Sequence, residues 1–499
     1  MNGNISIFTP TPQFANDLCD VVRIFWGGAS FSINEPGGEV TVTHTEQIRD
    51  GMRFCRMEMT GICSSAYEKS RAVSADPLLE KRYHKRLIKQ CLYEIMKMVT
   101  GRTPPWGSLT GIRPTRLIYE GMSRGLTLEE ATEEVREIFD ILPEKAALLK
   151  EIVGVQSEMG EPGERDVDLY VGIPFCVSRC AYCSFLSGEV GKGKQLPPYV
   201  DALEKEIAGA LALIEEKGLI PRAFYMGGGT PTSLSAALLD RVLSSARPFI
   251  DKAKEVTVEA GRPDTIDEDK LHVIRDHGAT RISINPQTMH DETLSRIGRK
   301  HTRAQTEAAY ALARKCGFHH INMDLIAGLP GENLDMFMQT LLWSRALAPE
   351  SLTVHTLSIK RSSLLHLWEA ELPDGAMVAN MVDAGREEAA SRGMRPYYLY
   401  RQKHMAGNLE NVGYALPGHE CLYNVDMMEE TGHVMAVGAG GISKRVDPSI
   451  GRIERAPNVS EISQYIERVE EMSERKRALW ASPWGREPSG KAVNAPHDG

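Results

Sequence analysis

Three cysteines stand close together directly after an apolar stretch, Leu169–Phe175, whose β-branched residues predict a strand. They are Cys176, Cys180 and Cys183, at the spacing C-x-x-x-C-x-x-C. Three thiolates on one short loop can bind three irons of a four-iron cluster, whereas iron–sulfur clusters usually take four cysteines. The remaining iron would be free to bind a small molecule, as the open position of a catalytic zinc site is.

Two other interpretations of this loop are a zinc site completed by a distant histidine and a set of buried thiols without metal. Zinc sites commonly pair C-x-x-C with a second pair of ligands, and no such pair lies nearby in the sequence. Pro174 and Phe175 precede the first cysteine, and Tyr182 precedes the third. This narrower pattern is the signature of radical S-adenosylmethionine (SAM) proteins, in which a [4Fe–4S] cluster binds SAM and cleaves it reductively.

Composition limits the class of protein. The chain has 499 residues, of which 42% are hydrophobic and 25% charged, so a globular protein of two or three domains is expected. The net charge of −9 argues against a general nucleic-acid-binding surface. We expect no signal peptide at the N-terminus and no membrane span, because no long apolar run occurs. Nine cysteines, three of them tightly grouped, favour a reducing cytoplasm over a disulfide framework.

Alternating strand and helix patterns follow the cysteine stretch and must position it. Parallel strands joined by right-handed crossovers are the expected result. Polar motif residues cluster directly after successive strands, which favours an α/β fold with a partial barrel of six β/α units over an open sheet. The predicted strands are Leu169–Phe175, Ala223–Met226, Glu255–Glu259, Arg281–Asn285, Ile321–Ile326 and Leu352–Leu357.

The flanking regions have other patterns. Residues 1–160 predict a small N-terminal α+β domain, in which Phe31–Ile33 and Val40–Thr43 flank a turn and indicate a β-hairpin. The barrel is assigned to residues 161–365, and residues 366–482 to a mixed α/β extension that covers the substrate. Residues 483–499 are rich in Gly, Pro and Ser, and we expect them to be a disordered tail.

The strand ends carry the candidate binding residues. Gly228, Gly229 and Thr230 follow the second strand, where glycines let the backbone approach a ligand such as the amino group of SAM. Glu259 ends the third strand and could accept hydrogen bonds from ribose hydroxyls. A tight turn without a ligand is the alternative for the glycines.

Three further polar residues follow or lie within later strands. Gln287 follows the fourth strand and Arg299 lies beyond it, where a guanidinium suits a carboxylate. Asp324 lies inside the apolar fifth strand, where a charge is costly unless it is paired. Taken alone, Gln287 and Arg299 would be interpreted as ordinary surface residues.

From Tyr170 to Leu357 the chain resembles the oxygen-independent coproporphyrinogen III oxidase group of radical SAM enzymes, and within it the HemZ-type coproporphyrinogen dehydrogenases. The matching motifs are Y-x-x-I-P-F-C-x-x-x-C-x-Y-C, G-G-G-T-P-T, T-V-E, I-S-x-x-x-Q and D-L-I-x-G-L-P-G. The resemblance implies a radical SAM barrel whose [4Fe–4S] cluster is bound by Cys176, Cys180 and Cys183. The positions that it implies for SAM contacts are Tyr170, Gly228, Gly229, Thr230, Glu259, Gln287, Arg299 and Asp324.

The implied reaction is the oxidative decarboxylation of two propionates of coproporphyrinogen III to vinyl groups, giving protoporphyrinogen IX. The resemblance also implies a low-potential electron donor of the flavodoxin or ferredoxin class, and it assigns no catalytic side chain. Because the tetrapyrrole substrate is an anion, Arg401 and Lys403 are expected to contact it, although a solvated basic face explains them equally well. One departure is Phe185, where the oxidase branch has a further cysteine. A haem chaperone of the same group, or an enzyme acting on another tetrapyrrole, therefore stays open.

Overall fold

The structure is a computed structural model that describes residues 3–111, 113–183, 188–358, 365, 372–402, 405–447 and 452–481. It divides into two compact units, Met1–Lys150 with Gly407–Leu409, and Glu151–Ala406 with Glu410–Gly499. The domain boundaries expected from the sequence stay predictions. The predicted disordered tail, 483–499, lies outside the described residues, as does Phe185.

The first unit is built on a five-stranded sheet whose spatial order is β2-β1-β3-β4-β5. Its apolar core lies between this sheet and the first two helices, where Ile5, Val42, Leu18 and Ile88 are buried. The Thr127 side chain and Glu130 form a capping box that begins the fourth helix. The elements up to residue 159 are β1 (Asn4–Phe8), α1 (Ala15–Phe25), β2 (Ser30–Ile33), β3 (Val40–Arg49), β4 (Met52–Thr60), β5 (Ser65–Ala72), α2 (Pro77–Thr100), α3 (Thr115–Ser123), α4 (Leu128–Phe139) and α5 (Pro143–Met159), the last of which continues into the second unit.

The predicted hairpin between Phe31–Ile33 and Val40–Thr43 is wrong. Strand β1 lies between these two segments and pairs with both of them in parallel. The glycines that suggested a tight turn allow a close approach instead, because a Cβ on Gly38 would lie 2.4 Å from the backbone nitrogen of Ser6. The segment between β2 and β3 therefore joins two strands that are parallel to each other and separated by β1, and it is not the turn of a hairpin.

The second unit contains the six predicted parallel strands, and each of them pairs with the next one along the chain. Their burial on both faces agrees with their content of valine and isoleucine. They are β6 (Asp166–Ile173), β9 (Ile220–Gly228), β10 (Glu255–Gly261), β11 (Arg281–Ile284), β12 (Ile321–Ala327) and β13 (Ser351–Thr356), while β7 (Phe175–Cys176) and β8 (Gly188–Glu189) form a small separate sheet after β6.

Helices connect these strands on the outside of the sheet. Most of the crossover helices begin at a side chain that accepts a hydrogen bond from a backbone N–H three residues later, as Ser235, Asp267, Thr302 and Asn333 do. The helices are α6 (Leu196–Glu216), α7 (Ala236–Ile250), α8 (Glu268–Asp276), α9 (Asp291–Arg296), α10 (Arg303–Lys315) and α11 (Leu334–Leu347).

The C-terminal part of the chain extends the sheet at both edges. Strand β15 pairs antiparallel with β13, and β16 pairs in parallel with β6. In the described part of the chain the sheet has eleven strands, in the order β14-β15-β13-β12-β11-β10-β9-β6-β16-β17-β18. The added elements are α12 (Gly375–Ser391), β14 (Arg395–Tyr400), β15 (Asn411–Ala415), α13 (Leu422–Glu429), β16 (His433–Val437), β17 (Ile442–Asp447), β18 (Arg452–Pro457), α14 (Ile462–Glu467) and α15 (Val469–Ala481).

Candidate functional site

The cysteine loop lies at the carboxyl end of β6 and is hydrogen-bonded to its neighbours. The Ala181 N–H donates to the Ile297 carbonyl at 2.9 Å, and the Thr230 N–H donates to the Phe175 carbonyl at 2.8 Å. Within the loop, the Cys183 N–H donates to the Cys180 carbonyl at 3.1 Å, which closes a turn. Backbone pairing to two neighbouring loops therefore fixes the three thiols at one edge of the sheet.

All three cysteines line a cavity of about 490 Å³ at this edge. Every predicted SAM-contact position lines the same cavity, although these positions span more than 150 residues of the sequence. Their convergence follows from the fold, because the carboxyl ends of parallel strands meet at one edge of the sheet. The predicted residues lining it are Tyr170, Cys176, Cys180, Cys183, Gly228, Gly229, Thr230, Glu259, Gln287, Arg299 and Asp324.

The glycine loop after β9 is packed against the cysteine loop. A Cβ on Gly229 would lie 2.6 Å from the Phe175 carbonyl oxygen, and Gly228 has a φ of +111°. Both positions therefore require glycine, one for space and one for its backbone conformation. The Thr230 hydroxyl lies 3.5 Å from the Cys176 sulfur.

Glu259 points into the cavity beside this loop. Its carboxylate accepts a hydrogen bond from the Tyr225 hydroxyl, and burial raises its pKa to about 7. The Tyr225 hydrogen bond lowers the pKa and the negative charge of Asp324 raises it, but both effects are smaller than that of burial. Burial therefore favours the neutral form of this carboxyl group.

Gln287 has a backbone conformation that few residues adopt. Its φ is +70°, and its backbone pairs with β12 through the Asp324 carbonyl and the Ile326 N–H, each at 2.9 Å. Its side-chain oxygen is buried without a hydrogen-bond partner, as is that of Asn285 in the same lining. Strained backbone and unpaired buried oxygens are costly, which indicates that this side of the cavity is shaped for a polar ligand.

Arg299 is hydrogen-bonded both to the cysteine loop and to Asn285, the residue that directly follows β11. Its guanidinium donates to the Tyr182 hydroxyl at 3.1 Å, to the Cys180 sulfur at 3.7 Å and to the Asn285 carbonyl. Its Nε is buried without a hydrogen-bond partner and remains available as a donor. A buried cation beside a thiol stabilises negative charge on that sulfur.

Asp324 is paired within the strands that carry it. Asn322 donates to it at 2.8 Å, and the His355 Nε2 lies 3.6 Å from its other oxygen. Burial acts to raise its pKa, but the interactions with His355 and Asn322 outweigh burial and the pKa is lowered. His355 was not predicted as a site residue. It lies in β13, opposite Ile326 of β12, and a polar residue within this apolar predicted strand is the sequence signal that could have identified it.

Tyrosines form another side of the cavity, and of these only Tyr170 was a predicted SAM-contact residue. Tyr170, Tyr225 and Tyr423 are stacked, with 4.3 Å between the ring centroids of the last two. Tyr398 and Tyr400 stack in parallel on β14. Tyr423 comes from α13, far along the chain, so only the folded structure shows that it belongs here.

The contacts predicted between substrate and the two cations Arg401 and Lys403 stay predictions. Arg401 is 4% exposed, lies outside the cavity lining and has a pKa lowered by burial to about 10. Lys403 lies outside the described residues. Among the described residues, the cations that line the cavity are Arg262, Arg281 and Arg299. Arg262 is paired with Asp264, and Arg281 with Glu255.

The fold and the three-cysteine loop define the class of protein. Residues 170–343 match the family described as the Radical SAM superfamily. The solved structure of coproporphyrinogen III oxidase (HemN) from Escherichia coli, described as a radical SAM enzyme, aligns with a TM-score of 0.51 and 23% identity over 66% of this chain and 74% of that one. The predicted radical SAM fold is confirmed. Membership of this superfamily implies a [4Fe–4S] cluster and SAM.

Curated relatives define the family within that class. The oxygen-independent coproporphyrinogen-III oxidase-like protein HemZ of Bacillus subtilis (strain 168) is 39% identical over 401 residues, which is 79% of this chain and 80% of that one. The heme chaperone HemW of Escherichia coli (strain K12) is 30% identical over 295 residues, 58% of this chain and 72% of that one. The chain belongs to the HemZ-like family of oxygen-independent coproporphyrinogen-III oxidase-like radical SAM proteins. No helix in the described part of the chain is long and apolar enough to cross a membrane.

Proposed function

We propose that this protein is a radical SAM oxidoreductase that converts two propionates of coproporphyrinogen III to vinyl groups, giving protoporphyrinogen IX. The observation that supports it best is that the cysteine loop and all predicted SAM-contact residues line one cavity of about 490 Å³. The 39% identity to the oxidase-like HemZ supports the choice of substrate.

The residues of the cavity fit both implied groups. Cys176, Cys180 and Cys183 would hold the [4Fe–4S] cluster, and the unpaired oxygens of Asn285 and Gln287 suit a polar ligand such as SAM. When bound, these groups supply the one-electron chemistry that takes a hydrogen atom from the carbon β to a carboxylate, after which CO₂ and one further electron leave.

The chain's own groups position and shield that chemistry. Arg299 places a buried positive charge beside Cys180, which favours a negatively charged cluster. Glu259 and Asp324 provide acceptors for ribose hydroxyls, and the Gly228–Thr230 loop leaves room for backbone groups to reach the ligand. The stacked tyrosines offer flat apolar faces for a macrocycle and keep water away from it.

A heme chaperone function is the second candidate. The similarity to HemW supports it, and so do the soft or nitrogen donors Cys421, Met427, Met428 and His355 in the cavity lining, since such groups bind haem iron. Arg262 and Arg281 are paired with neighbouring carboxylates, and Arg299 keeps one unpaired donor, its Nε, so the described lining offers few donors for four carboxylates. The contacts of Arg401 and Lys403 with substrate, the electron donor and the cytoplasmic location stay predictions.

The experiment is an anaerobic turnover assay with the reconstituted cluster, SAM, dithionite and coproporphyrinogen III, followed by mass spectrometry. The proposal predicts loss of two CO₂ with matching formation of 5′-deoxyadenosine. Cys180→Ala should abolish both, whereas Cys63→Ser, which changes a thiol in the other unit, should leave both unchanged. Cleavage of SAM with unchanged porphyrinogen would overturn the decarboxylase proposal. Stoichiometric haem uptake with slow SAM cleavage would then support the chaperone.

A further inference from the structure

A second group of side chains of the types that bind metals lies on the helices outside the sheet. Glu268 and His272 belong to α8, and Cys316 directly follows α10. One carboxylate oxygen, one imidazole nitrogen and one sulfur all lie within 4.8 Å of one another. None of these three residues lines the cavity, so this group is separate from the cysteine loop.

The local fold holds the three side chains together. Glu268 and His272 are four residues apart, which places them on one face of α8, one turn from each other. Arg275 follows on the same face and donates from Nη1 to the Cys316 carbonyl at 3.2 Å. This hydrogen bond fixes α8 against the end of α10 and keeps Cys316 beside the other two residues.

We propose that Glu268, His272 and Cys316 bind a zinc ion. Zinc accepts oxygen, nitrogen and sulfur ligands in tetrahedral geometry, and three protein ligands leave one position for water. A thiolate ligand disfavours magnesium and calcium, which take oxygen ligands. The ion would join α8 to the C-terminal end of α10, and its expected role is to stabilise the outer helices.

Two features of the site oppose metal binding, and both can be overcome. Lys315 donates to Glu268 at 3.0 Å, but the two side chains are 70% and 49% exposed, so this ion pair is weak and replaceable. Burial raises the pKa of the Cys316 thiol, and Glu268 raises it further, whereas Arg275 and Lys315 lower it. Zinc must therefore displace the thiol proton, so formation of the zinc–sulfur bond releases one proton to solvent.

The test uses the full chain with its cluster loaded, so that the three cluster cysteines are not available to added metal. Zinc is titrated by calorimetry, and ¹¹³Cd²⁺ is added in parallel because its NMR shift reports a sulfur ligand. Wild type should bind one zinc ion and gain thermal stability. His272→Ala removes a ligand and should weaken zinc binding by more than about 10–100-fold. Removing a residue that only hydrogen-bonds to a metal ligand already lowers metal affinity by that factor.

Three further variants separate the site from its surroundings. Cys316→Ser should remove the sulfur signature of cadmium, and His319→Ala, an exposed histidine three residues from Cys316, should change nothing. Lys315→Met removes the competing ion pair and should tighten zinc binding. Equal zinc affinity in wild type and His272→Ala, or a cadmium shift without a sulfur ligand, would overturn the proposal. Because His272, Lys315 and His319 are not fully buried, their variants are expected to fold.

Discussion

Gly229→Ala tests whether the contact between the glycine loop and the cysteine loop sets the geometry of the site. The new Cβ would lie 2.6 Å from the Phe175 carbonyl oxygen and 2.9 Å from the Phe175 nitrogen, whereas ordinary contacts begin at 3.4 Å. Because both contacts are with backbone, no side-chain rotation relieves them. The loops must move apart by roughly 0.8 Å, and overpacking of this kind costs about 1–3 kcal/mol.

The displacement has a larger expected effect on chemistry than on stability. The three cysteines are unchanged, so Gly229→Ala should still take up iron and sulfide after anaerobic reconstitution. A shift approaching 1 Å in a reacting group can cost about 100-fold in rate, so 5′-deoxyadenosine formation should fall by about that factor. Iron content and the rate of 5′-deoxyadenosine formation are measured on the same sample.

Gly154→Ala is the matched control. A Cβ on Gly154 meets nothing within 4 Å, and this residue lies within α5, so alanine should stabilise the chain by about 0.5–1 kcal/mol. SAM cleavage should be unchanged in this control. A rate of SAM cleavage by Gly229→Ala within about twofold of the wild-type rate would show that this contact between the two loops does not set the geometry of the site.

Three further predictions concern charged groups. The pKa of Glu259 is raised to about 7, so the folded chain retains a proton there that the unfolded chain loses near 4.5. The free energy of unfolding should therefore fall as pH rises from 4.5 through 7, by roughly 3 kcal/mol, relative to Glu259→Gln in anaerobic melting curves. Glu206 and Lys476 form an ion pair whose side chains are 0% and 2% exposed. Lys476→Met leaves the Glu206 charge buried and unpaired, so it should lower the free energy of unfolding in urea by about 3–5 kcal/mol. Adding Glu206→Gln to this variant should restore much of that stability. Arg299→Met removes a buried positive charge beside Cys180. The reduction potential of the cluster, measured by a redox titration followed by EPR, should therefore be more negative than in wild type. An unchanged potential would contradict this prediction.

The sequence predicted the central sheet well for a physical reason. A strand buried on both faces is rich in valine and isoleucine over a short run, and glycine and polar residues mark where it ends. The carboxyl ends of parallel strands meet at one edge of the sheet. Polar residues that follow different strands in the sequence therefore lie around one cavity. Gln287 was predicted in this way, whereas Asp324 was predicted because a charge inside an apolar strand is costly. The Gln287 N–H donates a hydrogen bond to the Asp324 carbonyl.

What the sequence could not predict depends on contacts between distant segments. Strand β1 separates β2 from β3, and no local pattern in Phe31–Thr43 reports that a strand from the N-terminus lies between them. His355 and Tyr423 reach the cavity through the pairing of β12 with β13 and the packing of α13. A hydrophobic pattern specifies which face of an element is buried, but not which distant partner covers it.

The C-terminal segments pair with both edge strands of the six-stranded parallel sheet. Strands β15 and β16 pair with β13 and β6, so neither end of the parallel sheet is left with unpaired backbone groups. Behind β6, the Tyr199 hydroxyl donates to the Gly172 carbonyl, only four residues before Cys176. Tyr199 also accepts from the Ala439 N–H, next to Gly438, whose N–H donates to Glu206.

This chain of hydrogen bonds joins the strand that carries the cysteine loop to the C-terminal helix α15, through the buried pair of Glu206 and Lys476. The same C-terminal region supplies Tyr423 to the cavity. Because one region contacts both the support of the cysteine loop and the tyrosine side of the cavity, weakening the Glu206–Lys476 pair should alter the two together. Lys476→Met should therefore lower SAM cleavage under conditions in which the variant is still folded, and equal cleavage by folded variant and wild type would show that the pair only stabilises the fold.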